Sequence, residues 1–145
     1  MIKQQHNKIA FINARIVDPD SGLDCLGELL VQNKLIKDVG RNLFNGSTPE
    51  DHLIIDCKKN ILCPGLIDMC SHLREPGEEY KENIESASKA ALAGGITSMI
   101  CMPDTNPIID QISVIEFIAR RARETNGVKI FPSASITKGL KGETL

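Results

Sequence analysis

Strand-like and helix-like segments alternate in the second half of the chain, and this order restricts the fold more than any other feature. Strands are predicted over residues 61–69, 96–102 and 128–136, and amphipathic helices over 79–93 and 113–125. Such an order is typical of a parallel sheet whose strands are joined by helical crossovers. An open doubly wound sheet and a TIM barrel share it, and the periodicity alone does not decide between them.

The first 60 residues follow a different pattern, in which short strand-like runs are separated by turns. The run Ile9–Val17 is rich in β-branched residues and stops at the turn cluster Asp18–Gly22. Further strands are predicted over 28–31, 35–39 and 53–57, the first two as a hairpin around Asn33-Lys34. We therefore predict a small β unit over residues 1–60 and an α/β unit over residues 61–145.

The composition excludes several classes of partner. The net charge is -2 and aromatic residues make up 3% of the chain, so neither a basic patch nor a stacking platform for nucleic acid is expected. Residues 1–8 lack the apolar core of a secretory signal, and no apolar run approaches the ~18 residues that cross a membrane. The five cysteines are scattered, which is typical of reduced thiols, and a cytoplasmic location is predicted.

Chemistry-bearing residues are concentrated in Pro64–Gly77, at the predicted carboxyl end of the first strand of the α/β unit. Sites in parallel α/β folds are built at that end of the strands. Cys70 and His72 are two residues apart and share one face of a strand, and both side chain types bind zinc. Arg74 suits a carboxylate ligand, because a guanidinium makes a two-pronged contact with it. A lone Cys-x-His pair is nevertheless more often a pair of packing residues.

Five blocks of sequence, taken together, resemble the dihydroorotase family of the amidohydrolase superfamily. The blocks are Pro64–Gly77, Tyr80–Glu82, Ala93–Thr97, Cys101–Pro107 and Thr137–Gly139. The resemblance runs from about residue 8 to the last residue and corresponds to the N-terminal portion of the family. It implies α/β architecture in which residues 61–145 form the first βα units of a TIM barrel, with three parallel strands and helical crossovers. Residues 1–60 would form part of a small β-sandwich subdomain that precedes the barrel.

The resemblance also implies an activity, a metal and a set of site residues. The activity is reversible hydrolysis of dihydroorotate to N-carbamoyl-L-aspartate in pyrimidine biosynthesis, assisted by one or two zinc ions. His72 matches the second histidine of the family's metal-binding pair, and Cys70 stands at the position of the first. Arg74 matches the arginine that binds the substrate carboxylate, and His72 and Asp104 join it as substrate-binding candidates.

Two of these positions depart from the family pattern and leave a degenerate member as an alternative. A thiolate at Cys70 would make zinc a poorer Lewis acid, or the site has lost its metal. At Asp104 the family has an asparagine, and an ionised aspartate cannot donate a hydrogen bond. We therefore expect Asp104 to repel the carboxylates of the substrate.

The remaining metal ligands and the proton-carrying aspartate of the family are expected beyond Leu145, so no catalytic residue is assigned and the 145-residue chain is expected to be inactive alone. Two alternatives stay open. One is a non-catalytic dihydroorotase-like partner of aspartate carbamoyltransferase, and the other is a hydantoinase or dihydropyrimidinase. The runs His72–Gly77 and Met102–Pro107 favour dihydroorotase over the latter. A homo-oligomer is compatible with each of these hypotheses.

Overall fold

A computed structural model of the protein describes residues 7–145. These residues form two compact units, one ending at Pro64 and the other beginning at Gly65. Most of the N-terminal segment considered as a leader lies outside the described residues. Within residues 7–145, no helix is long and apolar enough to cross a membrane.

The first unit is built on one mixed sheet. Its strands are β1 (Lys8–Asp18), β2 (Leu23–Gln32), β3 (Leu35–Gly40), β4 (Leu53–Asp56) and β5 (Ile61–Leu62). Strands β1, β2 and β3 run antiparallel, whereas β4 and β5 both pair with β1 in parallel. The predicted hairpin is confirmed: Asn33 and Lys34 take φ values of 52° and 66° between β2 and β3, as the tight turns that match strand twist require. The second layer of a β-sandwich stays a prediction.

The predicted strand over residues 61–69 is in fact two strands. Ile61 and Leu62 pair with Arg15 and Ile16 of β1, within the first unit. A separate strand, β6, spans Leu66–Ser71 in the second unit. Pro64 lies between them, and because proline has no backbone N–H it interrupts a sheet ladder. Apolar residues lie on both sides of Pro64, so the sequence pattern predicted one continuous strand.

The second unit has the predicted strand–helix alternation. After β6 come α1 (Ile84–Ala93), β7 (Ile96–Cys101), α2 (Ile112–Thr125), β8 (Lys129–Pro132) and a short 3-10 turn (Lys138–Leu140). The sheet order is β6-β7-β8, and both neighbouring pairs are parallel. The prediction of three parallel strands with helical crossovers is confirmed, whereas the closed TIM barrel stays a prediction.

Local sequence explains where the helices begin and end. The α1 helix begins five residues later than predicted, because the Asn83 side chain accepts a hydrogen bond from Ser86 N and caps it. It ends at Gly94, and Gly95 takes a φ of 80°, which suits glycine. The α2 helix ends at Asn126 in the left-handed region.

One apolar core lies between the sheet and the helices of the second unit. Ile84, Ile109 and Ile118 are fully buried there, and Met99 and Ile130 contribute from β7 and β8. The predicted inward faces are largely confirmed, although Ala90 of α1 is exposed. Packing of both helices on one side of the sheet fixes the strand ends that carry the candidate site.

Candidate functional site

The carboxyl end of β6 presents alternating side chains to the core and to solvent. Ser71 and Leu73 are buried, whereas Cys70 and His72 are exposed and line an open groove of about 400 Å³ between β6 and α1. Asp68 Oδ1 accepts a hydrogen bond from Cys70 N at 3.0 Å, next to a break in the β6–β7 register. That backbone N–H is the main reason why the pKa of Asp68 lies below its usual value.

Three of the predicted site residues come together in one charged cluster. Asp104 Oδ2 lies 2.8 Å from His72 Nδ1 and 3.5 Å from Arg74 Nη1. His72 and Arg74 follow β6, and Asp104 follows β7, so the parallel pairing of the two strands places all three at the same edge. We expected Asp104 to repel the carboxylates of a substrate. In the structure its own carboxylate contacts His72 and Arg74.

The contact with Asp104 distinguishes the two nitrogens of His72. A carboxylate only accepts hydrogen bonds, so Nδ1 is the donor in this pair. Nε2 is then the imidazole nitrogen that faces any further partner. Carboxylates that hold one nitrogen of a histidine in this way orient metal-binding histidines in many proteins.

Glu78 extends the cluster, and sequence reasoning missed it. Its Oε2 lies 3.2 Å from Arg74 Nη1, and its Oε1 lies 2.6 Å from Lys81 Nζ. The pKa of Glu78 lies below its usual value, mainly because Lys81 donates a hydrogen bond to it. The positive charges of Lys81 and Arg74 lower the pKa further. The four-residue spacing of Arg74 and Glu78 was the available signal, but it carries weight only where the local backbone is helical.

Glu75 and Arg121 form an ion pair that sequence reasoning missed. Glu75 lies in the turn after β6, and its side chain is only 5% exposed. Its carboxylate accepts hydrogen bonds from Ile84 N at 2.8 Å and from Arg121 Nε at 2.9 Å. Arg121 belongs to α2, and it reaches this buried acid although its own side chain is 37% exposed. No local sequence pattern links residues 46 positions apart.

The two loops that carry the cluster pack directly on one another. Met102 N donates to Ser71 O at 2.9 Å, and Asn106 N donates to Pro76 O at 3.0 Å. Gly77 takes a φ of 104° and approaches the Asn106 backbone so closely that a side chain would collide with it. The role of Asn106 that emerges is therefore in its backbone, at the contact between the loops.

The described residues do not by themselves fit a complete metal centre. Within residues 7–145, no group of three or more His, Cys, Asp or Glu side chains is placed to hold one ion. A catalytic zinc uses about three protein ligands and an open position. Cys70 and His72 share the exposed side of the strand end, and their role as zinc ligands stays a prediction.

Comparison with known proteins shows the family to which this chain belongs. Residues 59–145 match the family described as dihydro-orotase-like. The dihydroorotase of Ehrlichia canis is 49% identical over 131 residues, covering 90% of this chain and 29% of the relative. The dihydroorotase of Pelobacter propionicus is 47% identical over 133 residues, covering 92% of this chain and 31% of the relative. The chain thus spans about 30% of the length of these relatives.

Solved structures agree on the fold. The L-hydantoinase of Arthrobacter aurescens superposes with a TM-score of 0.75 at 20% identity, covering 90% of this chain and 28% of that protein. An enamidase of the amidohydrolase superfamily gives a TM-score of 0.62 at 24% identity, covering 93% and 37%. Members of this superfamily are generally metal-dependent. The hydantoinase likeness concerns the fold alone, whereas the sequence matches are to dihydroorotases, and the chain belongs to the dihydro-orotase-like family.

Proposed function

We propose that this chain forms part of a dihydroorotase-type cyclic amidohydrolase that converts dihydroorotate reversibly to N-carbamoyl-L-aspartate in the cytoplasm. The observation that carries the proposal is that His72 and Arg74, which follow β6, both contact Asp104, which follows the parallel strand β7. These contacts occur in a chain that is 49% identical to a dihydroorotase over 90% of its length. Both the substrate and the product carry carboxylates, which suits a guanidinium at the site.

In this proposal Arg74 binds and orients a substrate carboxylate. Its side chain is 35% exposed, so a ligand from solvent can reach it. His72 offers Nε2 to the substrate or to zinc, and Cys70 is the second candidate for a metal ligand. A zinc centre needs ligands in addition to these two, so the described residues act in positioning the substrate.

We expect the 145-residue chain alone to show no dihydroorotase turnover, because it supplies at most two of the ligands that a catalytic zinc needs. The positive test uses a chimera in which this chain replaces the aligned segment of the Ehrlichia canis dihydroorotase. The chimera should hydrolyse dihydroorotate. Substitution Arg74→Ala should lower kcat/KM by about 10- to 100-fold, the value of a hydrogen bond to a charged group.

The matched control for that experiment is Arg120→Ala, which removes an exposed arginine of α2 outside the cluster. Activity in the chimera that survives Arg74→Ala as well as it survives Arg120→Ala would show that Arg74 does not bind substrate. Turnover by the 145-residue chain itself would show that its own residues complete the active site.

A second candidate is the non-catalytic dihydroorotase-like protein, a structural partner of aspartate carbamoyltransferase. One observation favours it: Arg74 Nη1 already faces the carboxylates of Glu78 and Asp104. A chimera that folds and binds aspartate carbamoyltransferase but does not hydrolyse dihydroorotate would support this candidate. If Cys70→His then restored activity, Cys70 would be identified as the residue that limits the site.

A further inference from the structure

Asp104 contacts both His72 and Arg74 at the carboxyl ends of β6 and β7. A single oxygen, Oδ2, lies 2.8 Å from His72 Nδ1 and 3.5 Å from Arg74 Nη1. A histidine and a guanidinium beside one carboxylate oxygen are a common means by which proteins hold an anion. Here the anion that they hold belongs to the chain itself.

We propose that Asp104 is an internal carboxylate that fills the anion-binding position between Arg74 and His72, so that a ligand carboxylate binds there only by displacing it. Asp104 is then a specificity-determining residue, which weakens the binding of anionic ligands relative to neutral ones. The choice of ligand rests on the proposed function, in which Arg74 binds a carboxylate. The placement of Asp104 does not depend on turnover.

The charge balance of the cluster supports this inference. Arg74 and Lys81 supply two positive charges, and Glu78 and Asp104 supply two negative charges. These four charges cancel, so together they exert no net attraction on an anion. Loss of the charge at Asp104 would give these groups one net positive charge, and Arg74 is partly open to solvent.

Asp104 is also the more easily displaced of the two carboxylates that face Arg74. Glu78 Oε1 is held by Lys81 at 2.6 Å, and the Glu78 side chain is 28% exposed. Asp104 is 38% exposed, and its contact with Arg74 is the longer one. An incoming carboxylate would therefore exchange with Asp104 while Glu78 keeps its place.

The test measures binding of N-carbamoyl-L-aspartate to the full 145-residue chain by NMR, with the backbone N–H signals of His72 and Glu78 as reporters, because both remain in every variant. Asp104→Asn and Asp104→Ala should each tighten binding by roughly three- to tenfold, the range expected when a partly exposed ion pair no longer competes. The alanine variant separates the two explanations for a gain, because asparagine can itself donate to the ligand and alanine cannot.

Two further variants complete the experiment. Glu116→Gln removes a negative charge from an exposed position on α2 and should leave binding unchanged. Adding Arg74→Ala to Asp104→Ala should abolish the gain. The proposal is overturned if neither Asp104 variant binds more tightly, if only the asparagine variant does, or if the gain persists without Arg74. Tighter binding by the Asp104 variants together with an inactive chimera would contradict only the proposed function. An active chimera together with unchanged binding by the Asp104 variants would contradict only the role of Asp104.

Discussion

Glu75, in the turn after β6, forms an ion pair of 2.9 Å with Arg121, in the C-terminal half of α2. The other carboxylate oxygen of Glu75 accepts a hydrogen bond from Ile84 N, at the first residue of α1. One buried side chain thus ties the turn next to Arg74 to both helices of the second unit. Arg74 itself takes a φ of 61°, a conformation that persists in non-glycine residues only where the surroundings hold it.

Glu75→Ala should therefore destabilise the second unit and disturb Arg74. The substitution leaves the Ile84 N–H without its acceptor in a buried place, which costs about 1–3 kcal/mol. Glu75→Gln should cost less, because the amide oxygen can still accept one hydrogen bond. Urea unfolding measures the loss, and Glu116→Ala is the control at an exposed position on α2. Equal unfolding midpoints for Glu75→Ala and Glu116→Ala would show that the buried contact contributes nothing.

A second prediction concerns Gly77, which packs against the Asn106 backbone in the loop that also carries Asp104. Gly77→Ala combines a left-handed backbone with a side chain that collides with Asn106 O, and strain of this kind costs on the order of 1–3 kcal/mol. Gly95→Ala is the matched control, since Gly95 also has a positive φ, of 80°, but has open space around it. The melting temperature should fall more for Gly77→Ala than for Gly95→Ala. NMR spectra of Gly77→Ala should show shifted signals for His72 and Asp104. A loss no larger than that of Gly95→Ala would contradict the close packing of the two loops.

The sequence was most informative where the cause is local. Strand and helix periods predicted the parallel β6-β7-β8 sheet, and the asparagine turn of the β2–β3 hairpin was recognisable. His72 and Arg74 were found because they lie in one short run. The pairing of Glu75 with Arg121 could not be predicted, because it joins distant residues only after α2 has packed. The partners of Asp104 were missed for the same reason.

A third prediction concerns the reactivity of thiols. Burial raises the pKa of Cys101 to about 11, because the thiolate would lose its hydration in the core between β7 and the helices. At pH 8, only ~0.1% of such a thiol is ionised, and the thiolate is the reactive form. Iodoacetamide should therefore label the exposed Cys63 and Cys70 well before Cys101, as followed by mass spectrometry of peptides. Labelling of Cys101 as fast as Cys70 in the folded protein would show that this part of the core opens readily.

The last prediction concerns acid stability in the first unit. Arg15 donates from Nε and Nη2 to both carboxylate oxygens of Asp24, at 2.9 and 2.7 Å, across the β1–β2 pair. These hydrogen bonds are the main reason why the pKa of Asp24 is below its usual value. Since the folded pKa is the lower one, the contribution to stability is present above the unfolded value of about 4 and is lost as the pH falls through the folded value.

Asp24→Asn should therefore lower the urea midpoint of the first unit at pH 7, and the difference from the unchanged protein should shrink as the pH falls from about 5 to 2. Asp20→Asn, in the exposed turn between β1 and β2, removes the same charge without the arginine and is the control. High salt should reduce the effect at pH 7, because the pair is open to solvent. A difference between Asp24→Asn and the unchanged protein that stays constant down to pH 2 would mean that ionisation of Asp24 is not what stabilises the strand pair.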